Sequence, residues 1–167
     1  TIDGVMRFDL LPERIIWHLQ EAYGNVQTDA FDAVGPNNRE SLNVLETGPQ
    51  LDLPLGGRTE LSARAIYSAR RYDDSSTLDN DAQLYELGLF RQTTPTIRYG
   101  LLLNSNDVEY DVETAPTYEI DRASLMYERN FSTGGVSIEY GTNEISYLDQ
   151  STDEPLFRFQ WNRAVAT

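Results

Sequence analysis

The chain has 167 residues, 27 Asp+Glu against 13 Lys+Arg, one His and no Cys, with a formal charge of −14. That length supports one domain, spanning 1–167, with a sizeable core, and the acidity argues against a nucleic-acid partner, whose phosphates would be repelled. Disulfides, thiolate catalysis and cysteine zinc sites are excluded, and no run approaches the ~20 apolar residues of a membrane helix.

The periodicity is that of strands, about nine of them, with no sustained helical spacing. VMRFDLL (5–11) is followed across Pro12-Glu13 by RIIWHLQEAY (14–23), in which Ile15, Trp17 and Leu19 share a face. ESLNVLETGPQLDLPL (40–55) is a long strand whose apolar phase flips at Gly48-Pro49, as a bulge or bend would produce. From Arg58 to Tyr72, Leu61, Ala63, Ala65, Tyr67 and Ala69 alternate with Glu60, Arg64 and Arg70. AQLYELGLFRQ (82–92), TIRYGLLLN (96–104), YEIDRASLMYERNF (118–131), GVSIEYG (135–141) and LFRFQWNR (156–163) repeat the alternation.

The connections predict the topology. Pro12-Glu13, Gly56-Gly57, residues 93–95 and residues 132–135 are tight, whereas 24–39, 73–81, 105–117 and 148–155 are long and acidic. Strict alternation of short and long connections in an up-and-down meander puts all tight turns at one rim. That describes an all-β, antiparallel, transmembrane β-barrel with long loops outside. A soluble all-β binding module, lipocalin-like or sandwich, has the same alternation with its greasy face inward.

Three features favour lipid outside. Arg64, Arg70, Glu86, Arg98, Arg122, Glu128, Glu139 and Arg158 share the polar face, the expected lining of a lumen in which Arg and carboxylates neutralise one another. Trp17, Tyr23, Tyr67, Tyr99, Tyr127, Tyr140 and Trp161 fall towards strand ends on the apolar face, as interfacial girdles do. The third is the asymmetry of the two rims. All thirteen cations are Arg, which suits packed ion-pair networks, although a GC-rich genome gives the same bias. Nine strands is an odd number, so the chain is expected to be a fragment of a larger barrel.

The stretch from IIWHLQEAYGNVQTDAF through NNRESLNVLETGPQLDLPLGGRTELSARAIYSARRYDD resembles the outer-membrane β-barrel proteins found with bacterial exopolysaccharide and PEP-CTERM gene systems. The resemblance covers a third to a half of the chain. It implies a porin-like barrel in the bacterial outer membrane, with lipid and lipopolysaccharide around it and polysaccharide or export machinery as partners. It carries over no catalytic residue.

Chemistry has little positive signal. His18 lies on the polar face beside Gln20 and Arg14, near the short-turn rim, where a lumen-lining role is expected over a catalytic one. The acidic loops DDSSTLDND and NDVEYDVE offer oxygen ligands for Ca²⁺ without an EF-hand pattern. Phosphate loops, nucleophile elbows and zinc-protease motifs are missing, so no enzyme activity and no cofactor are expected. The polar face lines either an aqueous passage or a plugged lumen.

Overall fold

The computed structural model describes residues 2–27, 39–73, 79–112, 117–148 and 150–163. They form nine strands: β1 (Ile2–Leu11), β2 (Ile15–Val26), β3 (Glu40–Gly56), β4 (Thr59–Tyr72), β5 (Asn80–Thr94), β6 (Ile97–Tyr110), β7 (Tyr118–Phe131), β8 (Gly134–Tyr147) and β9 (Gln150–Arg163). Each pairs antiparallel with its chain neighbours in one sheet of order β1 to β9. There is no helix among the described residues. β1 and β9 are the two edges, so the sheet is not closed. They also run in the same direction, and an antiparallel meander therefore cannot close on these nine alone.

All but the first strand have 12 to 17 residues, against ~5–6 for a typical soluble strand. The tight connections lie where the sequence predicts them. Gly57 and Arg58, with φ of 57° and 70°, turn β3 into β4, the left-handed pair that a two-residue hairpin requires. Glu13 between β1 and β2 also sits at a φ of 62°. There a β-carbon is disfavoured, so Glu13→Gly is expected to raise the unfolding free energy by about 0.5–1 kcal/mol in a denaturant titration.

Two expectations are corrected. β8 ends at Tyr147 and β9 begins at Gln150, so most of the loop expected over 148–155 is strand, and the alternation of short and long connections fails at the last position. The phase flip at Gly48-Pro49 is not a bulge. Gly48 and Pro49 pair in unbroken register with His18 and Trp17, and the β3–β4 register is the same on either side of them. Register shifts fall instead beside hairpin tips, at Asp9/Leu11, Pro54/Gly56 and Gln92/Thr94. The flip needs another cause.

Candidate functional site

Successive residues of a strand point to opposite faces, and the register fixes which side chains stand together. On the front face, Leu53, Leu61, Leu89, Leu101, Leu125, Tyr140 and Phe157 form one row of direct cross-strand partners across seven strands. Among the described residues no second layer covers them: Leu125 is 62%, Phe157 69% and Trp161 68% exposed. The polar atoms on this face pair locally. Trp17 Nε1 donates to Thr47 Oγ1 at 2.8 Å, and Tyr85 Oη donates to Gln83 Oε1 at 2.7 Å. A shallow groove of about 670 Å³ crosses the same face where side chains are small, over Ala63, Ala65, Ser105 and Ala123.

The back face is polar through its lower and middle parts. Gln50, Arg64, Glu86, Asn104, Arg122, Asn143 and Glu154 are consecutive cross-strand partners on β3 to β9. Arg64 and Glu86 are opposite charges side by side, and neutral amides separate Glu86, Arg122 and Glu154, so no like charges face each other in this row. Arg64 reaches Glu86 at 3.4 Å, and Arg122 Nε donates to Asn143 Oδ1 at 2.9 Å. Six residues lower on β6, Arg98 lies between Glu60 (3.7 Å) and Glu128 (3.9 Å). Glu139, with only 10% of its side chain exposed, accepts from Arg158 at 2.9 Å and from Ser124 at 2.8 Å.

The structure therefore sets all eight charged residues of the predicted lining on one face and joins seven of them to a hydrogen-bonding or ionic partner. Arg70 stands apart, higher on the back face opposite Val44 and Asn80. His18 faces Gln50, a carboxamide 3.3 Å from its Nε2. That contact orients an imidazole but does not activate a nucleophile. The acidic segments 73–81 and 106–113 lie partly outside the described residues, among which no group of three or more His, Cys, Asp or Glu is set to hold a metal.

The sheltered face is the polar one. Along β7, Glu119, Asp121, Ala123, Leu125, Tyr127 and Arg129 are exposed, while their back-face neighbours Tyr118, Ile120, Arg122, Ser124, Met126 and Glu128 are not. In a single-layer sheet this asymmetry follows from curvature, because side chains converge on the concave side and splay on the other. Glycines relieve the crowding at its tightest points. The Phe90 ring lies directly over the Cα positions of Gly88 and Gly100 on the back face, and the Arg98 guanidinium stacks on that ring at 3.8 Å. Glycine kinks covered by an aromatic are a device for curving a sheet.

The hairpin tips give the sheet a frame. Phe8, Trp17, Pro49, Ala65, Tyr85, Ser105, Asp121, Glu144 and Asp153 lie on one ladder row. Below it, the first hairpin closes two residues away at Ile15, the second six away at Thr59, the third eight away at Ile97 and the fourth ten away at Gly134. The tips thus step down by eight residues over six strand spacings. If they share one rim, strands with ~3.4 Å rise and ~4.8 Å spacing tilt about 43° from its normal. Barrel strands tilt ~35–45°.

Counted from the tips, the front face becomes level. On β6 to β9 the first carboxylate above the apolar band is ten residues up: Asp107, Asp121, Glu144 and Asp153. On β4 and β5 the first charge above the apolar band is twelve or thirteen up, where Arg71 binds Asp81 at 2.6 Å, while Arg91 lies near the tip beside Tyr99. That hydrogen bond holds the Arg71 guanidinium above its ordinary pKa. Ten residues at this tilt are about 25 Å, the height of a lipid-facing band. Trp17, Tyr99 and Trp161 sit two residues above the tip level, and Tyr23, Tyr67 and Tyr85 eight or nine above it; Tyr127 and Tyr140, expected in the girdles, lie instead four and six up, within the band. Glu21 breaks the pattern, a carboxylate six residues up on β2 between Gly4 and Leu45.

Composition and periodicity gave no sign of the slanted frame, which exists only once register is known. No protein-family model, curated protein or solved structure matches this chain.

Proposed function

We propose that the chain is part of the wall of a transmembrane β-barrel of the bacterial outer membrane, with its front face on lipid and its back face lining the lumen. The observation that carries this reading is the uncovered apolar band of the front face, level when counted from the hairpin tips; with the tips on one rim, it is about 25 Å high on strands tilted about 43°. A water-soluble single-layer sheet would leave that whole band in water, at a cost of ~25 cal/mol for each Å². Supporting it are the two aromatic levels and a back face on which charges pair off.

No catalytic step is proposed. The row from Gln50 to Glu154, which rises from five residues above the tips on β4 to nine on β7 and β8, presents amides, guanidinium groups and carboxylates side by side, donors and acceptors suited to a polar solute. A hydroxyl-rich polysaccharide, in keeping with the exopolysaccharide resemblance, is the solute class we assign. Closure requires at least one more strand, running antiparallel between β9 and β1. The alternative is a soluble module whose front face packs on another apolar surface.

The test is behaviour without detergent. The folded protein is expected to be monodisperse only in detergent or lipid, and a folded, monodisperse state in plain buffer would overturn the membrane reading. Single-channel conductance in planar bilayers then separates a passage from a plugged wall.

A further inference from the structure

The upper third of the sheet reverses its polarity. Ten to thirteen residues above the tips, the front face carries Asp81, Asp107, Asp121, Glu144 and Asp153, the last four level with one another. At the same height the back face turns apolar. Val44 lies opposite Arg70, and Leu84, Val108, Ile120 and Ile145 follow on β5 to β8. Val108 is only 6% exposed, one of the most buried hydrophobics among the described residues. Tyr72, Tyr110, Tyr118 and Tyr147 then stand thirteen residues above their own tips, all on the back face. Below this line the front face is mainly apolar and the back face carries most of the charge; above it the assignment is exchanged on four adjacent strands, β5 to β8.

One change of surroundings explains both halves. Where hydrocarbon lies in front, apolar side chains face front. Where water lies in front, an ordinary sheet puts charge there and turns its apolar residues away. We infer that the outer boundary of the bilayer crosses the sheet at the level of Asp107, Asp121, Glu144 and Asp153, and that the strands continue beyond it as a water-surrounded collar with an apolar, tyrosine-edged inner wall. The inference rests on the membrane reading above and adds the depth at which the lipid ends. It also accounts for the phase flip in β3, since Leu42 and Val44 belong to the collar and Leu51 and Leu53 to the band. The collar places a stretch of low polarity above the charged row of the lumen.

The lack of cysteine makes the test direct. Single spin labels are attached to Leu125→Cys, six residues above the tip of β7, and to Glu119→Cys, twelve above it, with the protein in phosphatidylcholine vesicles. Leu125 is expected to collide with oxygen at least several-fold more than with a water-soluble nickel chelate, and Glu119 to show the reverse. If both labels favour oxygen, the collar is wrong and the membrane reading stands. If both favour the chelate, the membrane reading itself fails. Asp107→Cys repeats the comparison on β6 should the β7 label perturb folding.

Discussion

Leu101→Arg is expected to destabilise the folded protein in lipid by about 2–4 kcal/mol, the cost of a cation on the lipid face near mid-bilayer. Leu101 lies four residues above its tip, between Leu89 and Leu125 on the neighbouring strands, with no carboxylate among those partners. The guanidinium would have to leave water without a counter-charge, and its reach to either interface is limited by Tyr99 below and Leu103 above. Asp107→Arg, six residues further up the same strand, meets water at the carboxylate level and is expected to change stability by less than about 0.5 kcal/mol. Denaturant titrations of the two variants in the same vesicles check the difference. Equal effects would show that the two positions share one solvent.

Gly100→Val carries the second large effect, about 1–3 kcal/mol from overpacking. A β-carbon at Gly100 meets the Phe90 ring and the Leu89 carbonyl oxygen at 2.8 Å. Phe90 cannot swing aside freely, because it also covers Gly88 and carries the Arg98 guanidinium that bridges Glu60 and Glu128. The change should therefore disturb the charged cluster as well as local packing. In the double variant with Phe90→Ala, the valine gains the space left by the ring. The Gly100→Val cost is then expected to fall by more than half, a coupling that a double-mutant cycle measures. Additive costs would mean that the ring does not set the curvature at this point.

How much of this was legible in the sequence differs by level of organisation. Strand number and type follow from the period of two, which Leu101–Leu103 and Phe157–Trp161 display without interruption. Tight turns follow from Gly56-Gly57 and from the Gly pair at 134–135. Strand length was harder to read, because the upper ends of β6, β8 and β9 lose the apolar-front pattern. Residues 105–110 and 150–155 look like acidic loop while their backbones are paired. The same reversal made Gly48-Pro49 resemble a bulge. Once the reversal is placed at one level across the sheet, both misreadings have a single physical cause.

For the candidate lining, facing could be read from alternation alone, and Arg64, Glu86, Arg98, Arg122, Glu128, Glu139 and Arg158 do share one connected face. Which carboxylate meets which arginine could not. The Glu60–Arg98–Glu128 bridge joins β4, β6 and β7, passing over Phe90 of β5, a contact set by curvature and register together. Arg70 matched the alternation yet lies above the charged rows, because alternation carries no information about height. The tilt of about 43° likewise depends on relative offsets between hairpins, and these are fixed only by the ladder pairing.

The native tryptophans test the central claim most directly. Trp17 and Trp161 both stand on the front face, two residues above the tip level, and are the two tryptophans of the chain. In vesicles of phosphatidylcholine brominated along its acyl chains, their emission is expected to be strongly quenched relative to unbrominated vesicles, and to resist aqueous acrylamide. Emission that is indifferent to the bromines but quenched by acrylamide would put water in front of this face and contradict the account.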